Sequence, residues 1–220
     1  MTTTIHTIER KPQLVGDQPP PLLLMLHGYG SNEHDLFGLA EYVDPRLHIL
    51  SARAPLQLSW GGFAWYHLSG TPGRLVPDTV SRAEAITLLD RFVTSLPERL
   101  GSDPRRTYML GFSQGAIMSL ALAMNRPELI AGVVALSGYL DPALVPATPS
   151  PALAGLPIIQ MHGTYDEVIP VAAAHQTQEV LRGMPVRHSY HEYPVGHTIH
   201  PDGLRHIQSW LATRLDEPPR

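Results

Sequence analysis

The sequence predicts an α/β fold: a mostly parallel central sheet flanked by helices on both faces, in one domain spanning residues 1–220. Short, continuous apolar runs recur along the chain, amphipathic stretches of helical period separate them, and several runs end at a glycine. A strand covered on both faces reads as an unbroken apolar run rather than an alternating one. Strands that alternate with helices build parallel sheets, and a chain of 220 residues suits one sizeable core.

The first run, Leu22–Leu26, is wholly apolar and ends in His27-Gly28. His48-Ile49-Leu50 is a weaker strand, followed by Arg53-Ala54-Pro55. Residues 107–110 form another, ending at Gly111; 130–136 and 157–161 follow, the latter ending in His162-Gly163. Residues 186–193 alternate, as expected nearer a sheet edge. Between these lie the helices. Ser81-Arg82-Ala83-Glu84 has the form of a capping box opening a run of Ala85, Ile86, Leu88, Leu89, Phe92 and Val93. Gln114–Asn125 is rich in Ala, Leu and Met and stops before Pro127; 171–181 and 204–215 complete the set. The proline groups at 19–21 and 146–151 read as loops, because proline donates no ladder hydrogen bond.

Composition removes several functions. Sixteen basic and twenty acidic residues give a formal charge of −4 without any basic stripe, which argues against nucleic acid as a partner. The absence of cysteine excludes disulfides, thiolate metal sites and a thiol nucleophile. Residues 1–18 lack a basic segment followed by an apolar one, and no apolar run approaches the roughly 18 residues of a membrane span. A cytoplasmic protein without stable membrane insertion is the expectation. Twelve histidines are many, yet none falls at a metal-ligand spacing, so no metal is expected.

In sheets of this kind chemistry gathers where strands end. Gly111-Phe112-Ser113-Gln114-Gly115 matches G-x-S-x-G between a strand and an Ala-rich helix. Small residues two before and two after Ser113 permit a sharp, strained turn, and the helix N-terminus favours developing negative charge. The plainer alternative is a glycine-flanked turn with an incidental serine. A hydrolase of this design needs an acid and then a histidine later in the chain. Asp166 lies just beyond the run that ends at Gly163; Glu167 is its neighbour, and Asp141, which reads equally as a turn or cap residue, is a rival. His197 follows the last strand through Pro194 and Gly196, with His200 its main competitor; His188 and His191 lie on the strand itself. Backbone N–H groups of Gln114 and Tyr29 are the candidate oxyanion donors, with Gly28 and Gly30 giving the latter loop room to turn. The His27 side chain reads as structural.

The segments Leu26-His27-Gly28-Tyr29-Gly30, Arg53-Ala54-Pro55, Gly111-Phe112-Ser113-Gln114-Gly115, Leu136-Ser137-Gly138, His162-Gly163-Thr164-Tyr165-Asp166 and Gly196-His197 resemble, in order, the phospholipase/carboxylesterase family. The resemblance implies an α/β-hydrolase fold with no large cap domain and no cofactor, acting on acyl esters or thioesters as a monomer or homodimer. It implies catalysis by Ser113, Asp166 and His197, with oxyanion donors at Tyr29 and Gln114. Two departures exist. The thioesterase branch usually has Leu at the Tyr29 position, followed by Gly-Asp, and a second glycine at Ala116. Tyr29-Gly30-Ser31-Asn32 and Ala116 place this chain nearer the bacterial esterases.

Residues 56–66 gather Trp60, Phe63, Trp65 and Tyr66. Phe63, Trp65 and Tyr66 are the candidate substrate-binding residues, the other reading being that these rings cover the core. Residues 68–77, rich in Gly, Pro and Thr, would form a small mobile rim. An uncapped site suggests a small-molecule ester of short to medium acyl chain. An acyl thioesterase, a peptidase or a lysophospholipase on the same residues is the alternative, and a non-catalytic ligand-binding module the remote one.

Overall fold

The computed structural model describes residues 5–71 and 74–219; residues 1–4 of the N-terminal stretch and the tip of the 68–77 rim lie outside the described residues. In chain order the elements begin with strands β1 (Thr7–Arg10), β2 (Leu22–Leu26) and β3 (His48–Ala52). Two small hairpins follow, β4 (Leu56–Gln57) with β5 (Phe63–Ala64) and β6 (Leu68–Thr71) with β7 (Arg74–Pro77). Then come α1 (Thr79–Leu100), β8 (Thr107–Phe112), α2 (Gln114–Asn125), β9 (Gly132–Leu136), β10 (Pro157–Gly163), α3 (Val171–Arg182), β11 (Arg187–Tyr193) and α4 (Pro201–Asp216).

Seven strands form the main sheet in the order β1-β3-β2-β8-β9-β10-β11. Only β1 runs antiparallel within it; the other five pairings are parallel. The alternation in 186–193 is explained by position, because β11 is a terminal strand.

Strand β2 shows why its sequence is uniformly apolar. Leu22, Leu24 and Leu26 pack with Leu89, Phe92 and Leu96 of α1, Met118 and Leu122 of α2 and Leu181 of α3. Leu23 and Met25 point to the opposite face, with Ile207, Leu211 and Leu215 of α4. Successive side chains of a strand alternate between faces, so a sheet with helices on both sides requires apolar residues at both parities. Helix α2 is sheltered even more fully: residues from Gln114 to Met124 are all buried, which is why its sequence shows no polar stripe.

Two expectations are corrected. The capping box at Ser81 is not the start of α1. The cap is Asp78, whose Oδ1 accepts the Ser81 N–H at 2.8 Å and the Ser81 hydroxyl at 2.7 Å, so Ser81 lies inside the first turn. The rim at 68–77 is a paired hairpin rather than an irregular loop, with Gly70 at φ 93°. Strand β1 carries no pattern strong enough to read: it is four residues long and borders the sheet. Among the described residues no helix is long and apolar enough to cross a membrane.

Candidate active site

The site lies where β2, β8 and β10 end. Ser113 sits between the last residue of β8 and the first of α2, at φ 53° and ψ −117°. A residue with a Cβ occupies that region only under strain that its surroundings impose. Those surroundings are visible. A Cβ on Gly115 would overlap the Leu26 carbonyl of β2, and one on Gly111 would overlap the Gly115 carbonyl. The two glycines let α2 start directly against the sheet, and the Ser113 N–H is held by Leu136 O of β9 at 2.8 Å.

Asp166 and His197 come from two loops that zip together. Thr164 N–H donates to Tyr193 O at 2.8 Å and Tyr165 N–H to Val195 O at 3.0 Å. A Cβ on Gly163 would overlap the Gly196 carbonyl, so glycine is what permits this approach. It brings His197 Nδ1 to 2.6 Å from Asp166 Oδ2. The other carboxylate oxygen accepts the backbone N–H groups of Val168 at 2.9 Å and Ile169 at 2.8 Å. The Asp166 side chain is wholly buried, and His162 Nε2 approaches its Oδ2 at 3.3 Å. Burial works against the charge, but the bonds from His162, His197 and the Ile169 N–H outweigh it and hold the carboxyl well below the usual carboxylate range. Phe112 packs against the His197 ring, with centroids 4.9 Å apart.

Ser113 and His197 both line one cleft of about 540 Å³. Ser113 Oγ makes no hydrogen bond among the described residues, so its hydroxyl is free towards the cleft. Gln114 and Tyr29 line the same cleft, and neither backbone N–H has an acceptor among the described residues. The Tyr29 loop is anchored on both sides. Gly30 N–H donates to Phe63 O at 2.9 Å, Phe63 N–H to Ser31 O at 2.8 Å, and buried Glu33 receives Arg53 Nε at 2.6 Å. His27 is structural: Nε2 accepts the Ala54 N–H at 3.0 Å and Nδ1 donates to Gly28 O at 2.7 Å.

The rival residues are engaged elsewhere. Asp141 pairs with Arg82 and accepts the Ala143 N–H, capping a short turn. Glu167 is exposed. His200 caps α4 through the Asp202 N–H and stacks on Tyr193, and His191 packs on His206.

Of the three aromatic candidates for the substrate wall, only Tyr66 lines the cleft. Trp65 faces inward, 1% exposed, its Nε1 donating to His27 O at 3.0 Å. Phe63 lies beneath the Arg53 guanidinium, 4.6 Å from its ring centroid. The remaining walls come from hairpin β6–β7 (Leu68, Leu75, Pro77), Ile117 of α2, and Tyr139 with Val168, Ile169 and Pro170 from the loops. The sequence pointed to 68–77 as a rim but not to Ile117, Tyr139 or residues 168–170, because which of them faces the cleft is decided by contacts between distant segments. It also missed the Gln114 side chain, whose Oε1 accepts the Trp65 N–H at 2.8 Å while Nε2 donates to Tyr66 O at 2.7 Å.

A parallel sheet with helices on both faces, a strained serine at a strand–helix turn and a histidine–carboxylate pair at neighbouring strand ends define an α/β-hydrolase. Comparison with known proteins agrees. Residues 13–215 match the phospholipase/carboxylesterase family, and the chain belongs to it. Acyl-protein thioesterase 1 of Eremothecium gossypii is 26% identical over 209 residues, covering 88% of this chain and 87% of that protein. The Bacillus cereus carboxylesterase superposes with a TM-score of 0.80 at 22% identity, over 96% of this chain and 94% of the other, which attests the fold. Esterase PE8 superposes with a TM-score of 0.80 at 27% identity, over 95% and 98%. The protein is accordingly a hydrolase of the esterase type.

Proposed function

We propose that the protein is a single-domain serine carboxylesterase that hydrolyses short- to medium-chain carboxylic esters through Ser113, His197 and Asp166. The observation that carries this is the pairing of a buried Asp166 carboxylate with His197 Nδ1 at 2.6 Å, the same histidine sharing one cleft with Ser113. A carboxylate on Nδ1 selects the tautomer whose Nε2 lone pair takes a proton.

In the proposed mechanism His197 Nε2 accepts the Ser113 hydroxyl proton as Oγ bonds to the acyl carbon. The carbonyl oxygen becomes an oxyanion, stabilised by the N–H groups of Tyr29 and Gln114. Collapse breaks the bond to the alcohol oxygen, which leaves with the proton from His197. A water then gives its proton to His197 and attacks the acyl-enzyme, and the acid departs as Ser113 regains its proton.

No Asp, Glu, Lys or Arg stands among the described residues that line the cleft. This favours uncharged alcohol and acyl groups, and gives a lysophospholipid headgroup no cation or anion to meet there. Thioesters of similar size fit the same chemistry. The test is a panel of 4-nitrophenyl esters and thioesters of graded chain length, run beside fluorophosphonate labelling of wild type and Ser113→Ala. Labelling of wild type alone, with best turnover on short to medium esters, is expected. No labelling of wild type would sink the hydrolase reading, and a preference for the longest chains would overturn the chain-length assignment.

A further inference from the structure

Four donors converge on the Asp166 carboxylate, and one of them comes from the sheet itself. His162 is on β10, which lies between β9 and β11, and its side chain is wholly buried. Its Nε2 is 2.8 Å from Ile169 O and 3.3 Å from Asp166 Oδ2. Both neighbours are acceptors, so Nε2 carries the hydrogen and is shared between them. Its Nδ1 is buried without a partner among the described residues. A buried N–H left unpaired is costly, whereas a bare lone pair costs less, so the ring is neutral.

We propose that His162, as the neutral Nε2–H imidazole, is the positioning residue of the catalytic acid. It fixes the rotation of the Asp166 carboxylate towards His197 and ties the Ile169 wall of the cleft to the same ring. This rests on the reading of Asp166 and His197 given above.

The other contacts of Asp166 do not supply this rigidity. Val168 and Ile169 belong to the same loop as the acid and move with it, and His197 is the group to be oriented. His162 anchors the loop to an interior strand, where it pairs with Glu192 of β11 and its neighbour Met161 pairs with Leu136 of β9. The titratable groups around it are Asp166 on its own loop, Glu192 and Tyr193 on β11, and His197 and His200 beyond. Glu192 is itself bonded to His175 and Tyr190, which leaves Asp166 as the carboxylate that His162 serves.

The experiment compares wild type with His162→Gln, whose amide N–H reaches the Nε2 position, and His162→Leu, which donates nothing. For a 4-nitrophenyl butyrate substrate, His162→Leu is expected to lower kcat about 10- to 100-fold, the cost of a slightly misplaced catalytic group. KM is expected to stay within about threefold, because the substrate contacts remain. The acid limb of the kcat/KM profile moves to higher pH, since a carboxylate relieved of one donor holds the His197 imidazolium more tightly. His162→Gln is expected to recover most of kcat and the wild-type limb. Equal losses in the two variants, or an unchanged profile in His162→Leu, would overturn the proposal.

Imidazole ¹⁵N NMR of the wild-type protein supplies a readout independent of turnover and of how the variants fold. His162 is expected as the Nε2–H tautomer with a bare Nδ1 under the assay conditions, and an imidazolium or Nδ1–H signal would refute the assignment. A wild-type protein that neither turns over an ester nor takes the fluorophosphonate removes the esterase reading instead, and the NMR result still decides the state of His162.

Discussion

Asp166 holds His197 by one carboxylate oxygen, 2.6 Å from Nδ1, while its second oxygen is tied to the Val168 and Ile169 N–H groups of its own loop. Turning the carboxylate away from the imidazole breaks those two bonds within its own loop and also the His162 contact to Oδ2, which ties it to the sheet. Asp166→Asn keeps the shape but can present an N–H to Nδ1, which forces the wrong tautomer. The expected result is a fall in kcat of about 10³- to 10⁴-fold with KM little changed, measured by steady-state kinetics on a 4-nitrophenyl ester.

Gln114 joins the Ser113 turn to the segment that carries Tyr66. Gln114→Leu leaves the proposed oxyanion donor, the Gln114 backbone N–H, in place but strands the backbone Trp65 N–H and the Tyr66 C=O in the interior. Each unpaired group is expected to cost about 1–3 kcal/mol. Thermal unfolding reads the loss, and a drop in kcat/KM through the displaced wall should accompany it. A variant as stable and active as wild type would show that the clamp is dispensable.

The Arg53–Glu33 pair anchors the Tyr29 loop and gives a pH signature. The Arg53 hydrogen bonds pull the Glu33 carboxyl from its ordinary value of 4.5 down to about 2. A carboxyl depressed in the folded state contributes stability above its unfolded value, and that contribution is lost as pH falls. Glu33→Gln is thus expected to be less stable than wild type at neutral pH by about 1.5–3 kcal/mol. The gap should close between the unfolded value of 4.5 and about 2. Denaturant melts across that window measure it, and a gap constant in pH would refute the pairing.

Trp65 and Ile117 separate stability from specificity, the first facing inward and the second lining the cleft. Trp65→Phe removes the donor to His27 O and should cost about 1–3 kcal/mol in denaturant unfolding. Its acyl-chain preference should not change. Ile117→Ala, by contrast, deepens the cleft wall and should shift preference towards longer acyl chains by about tenfold in relative kcat/KM. A chain-length shift in Trp65→Phe would return that residue to the substrate wall.

Much of this was legible before any coordinates. The unbroken apolar run of β2 announced a strand covered on both faces, and the glycines around Ser113 announced a sharp turn between strand and helix. Both are nearest-neighbour properties: a side-chain period and a steric need for missing Cβ atoms. Asp166 and His197 could be placed at strand ends by chain order. Glu167 and His200 could not be set aside that way, because nothing local says which of two neighbouring residues meets its partner across the zipped loops.

The residues 65–66 show where local information ends. Trp65 and Tyr66 lie in a bend just after β5, where no strand period says which ring faces the cleft and which the interior, so their parity is left open. That parity is set by a distant contact, the Gln114 carboxamide gripping Trp65 N–H and Tyr66 C=O. His162 is similar: in the chain it is one more residue before a glycine, and only the fold brings Asp166 and Ile169 onto its Nε2. Chain order and residue pattern were enough for the strand–turn–helix frame and for its candidate reactive groups. The wall of the cleft and the partners that orient those groups were decided by packing between segments far apart in sequence, because hydrogen bonds and close contacts form there only once the sheet has closed.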